Sequence, residues 1–277
     1  MRALDRSSAE LPYVETALNY IDPTAADPGG INDIEREKST LKLVSHPTRI
    51  YDARADRARL SLDRTGFVVA NHDTEVTDFY DRRQVETIYH PEIGALIQEL
   101  TGAETVLIFG TLIRNAAADA PAGSHKPVFN AHVDYNLETI RAVAERELPE
   151  GDKARYRHGR IILINTWRPI VEIESAPLAV ADAATVAWGD LFHGPIGGKS
   201  QAGTPNAAGY NLAYNPNQRW YYVPRMKPSE MFVFKLCDSE PGAVQWAAHT
   251  SFEDPASPPD AAPRQSIELR TLALFPG

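Results

Sequence analysis

Residues 128–135 read VFNAHVDY and place His132 and Asp134 two positions apart. In an extended strand, side chains at positions i and i+2 point to the same face. One strand end can therefore direct an imidazole and a carboxylate at a single point. The stretch QWAAHT at residues 245–250 supplies His249 as a long-range partner. Two imidazoles and one carboxylate on one face of a metal ion form the arrangement that non-haem Fe(II) oxygenases use.

A rival triplet, HPE at residues 90–92, has a different interpretation. It opens a stretch with helical spacing, where positions i and i+2 point to nearly opposite sides. Proline suits the first turn of a helix, and a glutamate suits its positive end. We therefore interpret His90 and Glu92 as a helix start. A His-x-Asp triplet alone also occurs by chance in surface loops, so His132 and Asp134 need further support.

Composition restricts the classes of protein that the chain can represent. Its 277 residues are 43% hydrophobic, enough for one large core with or without an N-terminal extension. The 28 basic and 37 acidic residues give a formal charge of −9, and there is no basic run, so nucleic acid is not an expected partner. The single cysteine, Cys237, excludes an internal disulfide framework and fits a reducing compartment. We expect it to be buried and inert.

The sequence contains no targeting or membrane signal. Residues 1–7 lack the apolar segment of a signal peptide, and residues 1–8 are predicted to be a mobile tail. No stretch approaches the ~20 apolar residues that span a bilayer. We therefore expect a soluble, cytoplasmic protein without a membrane partner.

The N-terminal part is predicted to combine short strands with one helix. Residues 25–34 are rich in Ala, Asp, Pro and Gly and are interpreted as a loop. Apolar residues recur with helical spacing from residue 93 to residue 100, and Gly102 is well placed to end that helix. Strands are expected at residues 11–21 (a strand or an extended arm), 41–44, 48–52 (separated from the previous strand by His46-Pro47), 66–70 and 105–109.

The remainder is predicted to hold one more helix and then β-structure throughout. Asn136 can cap a helix whose apolar stripe consists of Leu137, Ile140, Ala144 and Leu148, with Gly151 ending the pattern. Residues 160–167 form the strongest strand, expected to be central and buried. Residues 193–206 are interpreted as a long loop suited to act as a lid. Other strands are expected at residues 178–180, 184–188, 210–214, 219–223, 231–236, 244–251 and 267–275.

These elements predict a mainly β fold with some α-helix. About eight short strands after one strong helix favour a closed or double-sheet β architecture. No break in composition separates two domains. We expect a single catalytic domain over residues 1–277, with an N-terminal arm at 1–40 and a β core with helices at 41–277.

Three sequence blocks resemble a known family. They are INTWRPI at residues 164–170, YNPNQRWYYVP at 214–224, and HTSFEDP at 249–255 continued by PPDAAPRQSIELR at 258–270. They are similar to the hydroxylase/desaturase family of fungal and bacterial secondary metabolism, which includes gibberellin desaturase-like proteins. The similarity extends from about residue 41 to residue 275.

The resemblance implies a fold, cofactors and a reaction. The fold would be a double-stranded β-helix (jelly-roll, cupin-like), with Fe(II), the cosubstrate 2-oxoglutarate and O2 as the reacting groups. The metal ligands would be His132, Asp134 and His249, the residues that the strand argument selects. Hydrogen abstraction from a small organic molecule would lead to hydroxylation, desaturation or ring formation. An accessory, non-catalytic subunit and a zinc hydrolase with the same ligands remain alternatives.

The far carboxylate of 2-oxoglutarate needs a fixed cation, and arginine offers a bidentate fork. Arg264 and Arg270 follow His249 by 15 and 21 residues, and the shorter spacing slightly favours Arg264. Arg168, at the end of the most buried strand, is a third candidate, and Tyr214 a further residue for the cofactor pocket. For Arg264 and Arg270 the alternative is a surface salt bridge, for example with Glu268 or Asp260. For Arg168 the alternative is a structural ion pair under the sheet.

The remaining candidates would contact the substrate. The aromatic residues Trp167, Trp220 and Tyr221 are candidate pocket walls, although period-2 alternation turns only about half of such residues inward. Asn130 can orient a ligand or form a hydrogen bond at the strand end. His125 and His193 are interpreted as loop residues. A small-molecule substrate is expected, and the N-terminal arm is a candidate contact for a homodimer.

Overall fold

Two β-sheets form the framework of the residues that the computed structural model describes, namely 10–29, 32–33, 40–197 and 208–277. The first has nine strands in the order β1-β3-β11-β8-β13-β6-β10-β9-β2, and the second has five in the order β4-β12-β7-β14-β5. The strands are β1 (Tyr13–Ile21), β2 (Asn32–Asp33), β3 (Leu43–Asp52), β4 (Phe67–Asn71), β5 (Thr105–Asn115), β6 (His132–Val133), β7 (Ile161–Pro169), β8 (Leu178–Ala181), β9 (Leu191–Gly197), β10 (Ala208–Leu212), β11 (Trp220–Tyr222), β12 (Glu230–Asp238), β13 (His249–Ser251) and β14 (Gln265–Leu274).

The nine-stranded sheet begins with a long antiparallel pair. β1 pairs with β3 from Tyr13↔Tyr51 to Ile21↔Leu43, so residues 11–21 form a strand of the sheet. The prediction that His46-Pro47 separates two strands is wrong, because β3 is continuous through both residues. Proline removes one ladder donor, which is tolerated near the margin of a sheet. β3 meets β11 only over residues 50–52, so Pro47 has a strand neighbour on one side alone.

The five-stranded sheet is centred on β7, as the sequence predicts. Every residue of β7 is buried, and the strand pairs antiparallel with β12 on one side and β14 on the other. The last strand, β14, also pairs with β5, and the register shifts between Arg270 and Thr271. Both faces of the sheet are covered by apolar side chains. One face packs against the nine-stranded sheet, and the other packs under the helical segment at residues 85–97, through Val85, Tyr89, Ile93 and Ile97.

The helices follow the predicted pattern with two differences. They are α1 (Arg82–Gln84), a π-helical turn (Val85–Tyr89), α2 (His90–Thr101), α3 (Leu137–Glu147) and α4 (Glu150–Tyr156). Gly102 ends α2 in the left-handed conformation, and Asn136 caps α3 through Thr139 N, both as predicted. Leu137 is exposed, because the buried stripe of α3 is formed by Thr139, Ile140, Val143 and Ala144. Gly151 does not end helical structure but lies inside α4.

Other local predictions also differ from the structure. The strand expected at residues 184–188 is replaced by two 3-10 turns, Ala183–Thr185 and Trp188–Asp190. The Asp182 carboxylate accepts a hydrogen bond from Ala184 N, which favours a turn over a strand. In the expected loops, residues 193–197 belong to β9 and residues 32–33 form β2. The rest of the expected lid, residues 198–206, lies outside the described residues. The strand expected from residue 244 begins only at His249.

No helix of the described residues is both long and apolar enough to cross a membrane.

Candidate active site

The structure brings His132, Asp134 and His249 together inside the protein. β6 and β13 are neighbours in the nine-stranded sheet, with His132 directly opposite His249. Asp134 follows β6, two positions after His132, as the strand argument requires. One ligand atom from each of the three residues lies within 4.8 Å of the others, and all three side chains are buried. The geometry of the predicted metal triad is therefore present.

Each imidazole is oriented by a backbone carbonyl close to it in sequence. His132 Nδ1 lies 2.7 Å from Asn130 O, and His249 Nδ1 lies 3.4 Å from Ala247 O. Because a carbonyl only accepts, Nδ1 of each ring carries a proton, and Nε2 is the nitrogen that remains to bind a metal. The Nε2 atoms of His132 and His249 face Asp134 at 3.4 and 3.7 Å. Metal-binding histidines are commonly fixed in this way.

The protonation states suit a divalent cation. Burial, followed by the nearby His132, lowers the pKa of His249 to about 4, so its imidazole is neutral at pH 7. Burial alone would raise the pKa of Asp134, but the Arg270 guanidinium and the two histidines outweigh it and hold the pKa well below its usual range. Metal ligands must be deprotonated, and these groups already are. The donor set of two imidazoles and a carboxylate therefore fits Fe(II).

Asp134 also contacts polar residues of the five-stranded sheet. Asn165 Nδ2 donates to Asp134 Oδ2 at 2.9 Å, and Arg270 Nη2 lies 3.9 Å from the same oxygen. The rest of the Arg270 guanidinium donates to Tyr135 Oη at 2.8 Å and to Glu268 Oε1 at 3.2 Å. Arg270 thus already faces two carboxylates. The predicted ion pair between Arg270 and Glu268 exists, but it is buried and not on the surface.

Arg264 lies in a different environment, beside Ser251, which is two positions after His249 in β13. Its Nη1 donates to Ser251 Oγ at 2.7 Å and to Ala176 O at 2.8 Å. Ala176 has a φ of 47°, a left-handed conformation that costs a non-glycine residue energy and is typical of functional sites. No carboxylate of the described residues lies within ion-pair distance of Arg264. Burial, followed by the charge of Arg114, lowers the pKa of Arg264 to about 9, so it remains a cation at neutral pH.

Unpaired polar atoms surround Arg264. Its Nε has no hydrogen-bond partner, and neither do Ser266 Oγ and Trp167 Nε1. The Arg264 guanidinium carbon lies 5.3 Å from the centre of the Trp167 ring. Buried donors without partners are rare and need an explanation. A cation with adjacent free donors fits the far carboxylate of 2-oxoglutarate.

Arg168 and Tyr214, the other two candidates for the cofactor pocket, make their contacts elsewhere. Arg168 is buried on the helix side of β7, where its Nη2 contacts His72 and its guanidinium lies over the Tyr89 ring. These contacts are structural, but the ion pair that the sequence left open for Arg168 is not found among the described residues. Tyr214 is 37% exposed and stacks on His46 with ring centres 4.1 Å apart.

The candidate substrate residues lie in two different environments. Trp167 lies beside Arg264, and the Asn130 carbonyl orients His132 while its own Nδ2 has no partner. Trp220 packs edge-on against Tyr20 in the core. Tyr221 is equally buried, and its hydroxyl donates to Asp56 and accepts from Arg219. The recorded contacts of Trp220 and Tyr221 are those of packing residues.

The interpretations of His90 and Cys237 are consistent with the structure, whereas His193, which was expected in a loop, lies in a strand. His90 begins α2 with Pro91 in the first turn, and its ring contacts Thr111. Cys237 is buried, which raises the pKa of its thiol, and its Sγ contacts Tyr135 O. His193 lies in β9 with its ring edge-on to Tyr210.

Sequence reasoning did not select Asn165, Ser266 and Glu268 as site residues. Period-2 alternation places residues 264, 266, 268 and 270 on one side of the chain, and this pattern could have linked them. Asn165 faces Arg270 across β7 and β14. This contact follows from the pairing of β7 with β14, and a single sequence does not reveal which strands pair.

Comparison with known proteins identifies the family of this chain. A family model described as "Oxidoreductase/YMDC permease-like domain" matches residues 18–274. The alpha-ketoglutarate-dependent dioxygenase tstK of Talaromyces stipitatus is 28% identical over 98% of this chain and 100% of its own length. The hydroxylase/desaturase efuI of Hormonema carpetanum is 29% identical over 97% of each chain.

A solved structure is similar over nearly the whole chain. The iron and alpha-ketoglutarate-dependent endoperoxidase NvfI superposes with a TM-score of 0.81 and 25% identity, covering 96% of this chain and 98% of that one. Its curated sequence, from Aspergillus novofumigatus, is named an Fe(II)/2-oxoglutarate-dependent dioxygenase. The structural likeness confirms the predicted jelly-roll core. By sequence and by structure, this chain belongs to the oxidoreductase/YMDC permease-like family and to the group of hydroxylases and desaturases that its sequence blocks predict.

Proposed function

We propose that this chain is an Fe(II)/2-oxoglutarate-dependent oxygenase that acts on a small organic molecule of secondary metabolism. The observation that carries the proposal is the convergence of two oriented imidazoles and one carboxylate on a common point. Relatives along the whole chain are named for the same cofactor and cosubstrate. Hydroxylation, desaturation or ring formation would follow from hydrogen abstraction.

His132, Asp134 and His249 would hold the iron through His132 Nε2, His249 Nε2 and an oxygen of Asp134. The backbone carbonyls of Asn130 and Ala247 keep both imidazoles in the tautomer that has Nε2 free. Bound Fe(II), with 2-oxoglutarate and O2, supplies the oxidising power for hydrogen abstraction. Three ligands from the protein leave the opposite face of the metal to the cosubstrate and O2.

Arg264 would bind the far carboxylate of 2-oxoglutarate. Three arginines lie on the triad side of the five-stranded sheet. Arg114 and Arg270 both contact Glu268, whereas the buried Arg264 has no carboxylate partner in the described part of the chain. Ser251 and Ala176 hold the guanidinium in place, and Ser266 offers a free hydroxyl beside it. An anion at this point would offset the burial that lowers the pKa of Arg264.

The surrounding residues would exclude water and position the substrate. Trp167, together with Asn130, is the candidate for substrate or cosubstrate contact, since each has an unpaired buried donor. We further propose one catalytic domain over residues 1–277, a cytoplasmic location, and neither nucleic acid nor membrane as partner. A homodimer formed through the N-terminal arm is part of the same proposal.

An anaerobic titration tests the function. Fe(II) and then 2-oxoglutarate are added to metal-free protein, and the visible metal-to-ligand charge-transfer band is recorded. We expect a band that disappears in His132→Ala, Asp134→Ala and His249→Ala. Arg264→Met should require much more 2-oxoglutarate for the same band. Arg225→Met is the matched control, because Arg225 is 57% exposed and forms only surface ion pairs in the described residues.

The same titration separates the alternatives. A wild-type protein that binds Fe(II) but gives no band with 2-oxoglutarate would exclude the proposed cosubstrate. A zinc hydrolase should then show metal-dependent turnover that ignores 2-oxoglutarate. An accessory subunit should form the band without consuming 2-oxoglutarate when substrate candidates are added.

A further inference from the structure

We infer that Asn165, Glu268 and Arg270 form a positioning network that fixes one oxygen of Asp134 and so directs the other towards the metal. In this arrangement Arg270 serves the metal ligand and does not bind 2-oxoglutarate. The inference rests on the proposed function, because it assigns these residues a task at the same metal site.

Asn165 makes the direct contact. It is fully buried in β7, and its Nδ2 donates to Asp134 Oδ2 at 2.9 Å and approaches Glu268 Oε1 at 3.4 Å. The two carboxylates determine the orientation of the amide, because only its NH2 group can donate to them. Its Oδ1 is left without a partner. The amide therefore directs both of its protons to the two carboxylates, and its buried acceptor oxygen remains without a partner.

Glu268 and Arg270 complete the network. Two carboxylates at Asp134 and Glu268 would repel each other in a buried site without a cation between them. Arg270 meets this need, with Nε 3.2 Å from Glu268 Oε1 and Nη2 3.9 Å from Asp134 Oδ2. Tyr135 Oη accepts a further hydrogen bond from Arg270 Nη1 at 2.8 Å. Arg114 Nε lies 3.7 Å from the other oxygen of Glu268 and holds that carboxylate from the opposite side.

The backbone near Arg270 accommodates its side chain. Gly110 in β5 lies directly opposite Arg270 in β14. A Cβ at Gly110 would lie 3.1 Å from Arg270 Cδ and 3.3 Å from Arg270 Cβ, closer than most side chains approach. The register also shifts immediately after Arg270. The local sheet geometry therefore leaves room for the guanidinium to reach Asp134.

The network has a consequence for the metal ligand. Asp134 Oδ1 lies 3.4 Å from His132 Nε2, whereas Oδ2, which lies 3.7 Å from His249 Nε2, already accepts a hydrogen bond from Asn165 Nδ2. A carboxylate with one oxygen engaged in this way favours coordination through the other oxygen. A freely rotating carboxylate can bind a metal through both oxygens and occupy a position that the cosubstrate needs. Loss of the network should therefore weaken metal binding and alter the coordination geometry.

Cobalt titration tests the inference independently of turnover. Co(II) is added to metal-free protein without 2-oxoglutarate, and its visible absorption reports both affinity and coordination number. We expect Asn165→Ala and Arg270→Met to weaken Co(II) binding by about tenfold or more, the range found when outer-shell partners of metal ligands are removed. The shape of the Co(II) spectrum should also change. Arg270→Lys, which keeps the charge, should restore part of the affinity.

Two variants serve as controls. Arg264→Met should leave Co(II) affinity within about twofold of wild type and weaken subsequent 2-oxoglutarate binding. Arg160→Met removes a comparable ion pair, with Asp238 at 2.7 Å, in a network of other residues and should leave both affinities unchanged. Near-ultraviolet circular dichroism of each variant reports folding. If Asn165→Ala is not folded, Asn165→Ser and Glu268→Gln replace it with smaller changes.

The outcomes are distinct. Unchanged Co(II) affinity together with lost 2-oxoglutarate binding in folded Arg270→Met would overturn the inference and make Arg270 the cosubstrate anchor. Additive effects of Asn165→Ala and Arg270→Met would also contradict it, since residues that act through one carboxylate should be coupled. If wild-type protein binds Co(II) but not 2-oxoglutarate, the proposed function fails while the cobalt data still decide the network.

Discussion

At the scale of single residues, burial keeps the His249 imidazole neutral at pH 7 before any metal binds. His249 has a pKa of about 4 against an ordinary value of 6.5, because burial and the neighbouring His132 disfavour its charged form. The unfolded chain therefore takes up a proton near pH 6.5, whereas the folded chain does so only near pH 4. This linkage should stabilise the fold above pH 6.5, and the contribution should disappear as the pH falls towards 4.

Chemical denaturation of metal-free protein between pH 7.5 and 4 measures this effect. Each pKa unit corresponds to about 1.4 kcal/mol, so His249 should account for up to about 3 kcal/mol of the loss. His249→Gln removes the titrating group and should flatten the profile between pH 6.5 and 4. An equal slope in wild type and His249→Gln would show that other groups dominate.

Arg168 gives a second prediction at this scale. Its guanidinium is buried against His72 and Tyr89, away from the unpaired donors near Arg264. Arg168→Met should lower the free energy of unfolding by about 2–3 kcal/mol, because buried hydrogen-bond partners lose their donor. The charge-transfer titration should give an unchanged 2-oxoglutarate affinity. A large loss of cosubstrate binding at normal stability would instead place Arg168 in the cofactor pocket.

A single sequence predicts some of the site residues and misses others. Spacing connects His132 with Asp134, the need for a second imidazole selects His249, and the distance in sequence from His249 favours Arg264. Asn165 and Glu268 were not found, because their roles arise from the pairing of β7 with β14. Arg168 and Arg264 look alike in sequence, and only the face of the sheet on which each lies separates their roles.

At the scale of elements, the short strand β6 holds the site through its neighbours. Gly209 in β10 packs so closely on this segment that a Cβ would lie 2.1 Å from Val133 O and 2.7 Å from Asp134 O. Backbone atoms cannot give way as a flexible side chain can. Gly209→Ala should therefore displace β6 and weaken Co(II) binding by more than tenfold.

Gly94→Ala is the matched control for this substitution. Gly94 lies inside α2, and no atom of the described residues lies within 4 Å of an added Cβ. Alanine in a helix interior is more favourable than glycine by about 0.5–1 kcal/mol, so this variant should be slightly more stable and bind Co(II) normally. Normal metal binding in Gly209→Ala would show that β6 can move without disturbing Asp134.

The predictions of secondary structure were wrong where tertiary contacts override the local sequence pattern. Residues 184–188 have strand-forming composition, but Asp182 caps a 3-10 turn there. The proline at position 47 suggested a break, yet pairing with β1 keeps β3 continuous. The long strand β7 and helices α2 and α3 were predicted because their apolar patterns extend over many residues.

At the scale of the whole molecule, the site exists only in the folded chain. β6 and β13 are far apart in sequence, and they become neighbours through the strand order of the nine-stranded sheet. Arg264, which precedes β14, reaches Ser251 in β13 and so connects the two sheets beside the triad. Composition and strand count predict a double-sheet architecture, but they do not determine this order. The family resemblance supplied the fold that the pattern alone left open.

Because the ligands come from distant segments, metal and cosubstrate should bind the folded state alone and stabilise it. Such a ligand at 100 times its dissociation constant adds about 2.7 kcal/mol. For a chain of this size, each kcal/mol raises the melting temperature by about 2–4 °C. Thermal unfolding with Mn(II), and then with Mn(II) and 2-oxoglutarate, should therefore show two successive increases. Arg264→Met should keep the first and lose the second, and His132→Ala should lose both. A 2-oxoglutarate increase that persists without Mn(II) in His132→Ala would place the cosubstrate outside the metal site.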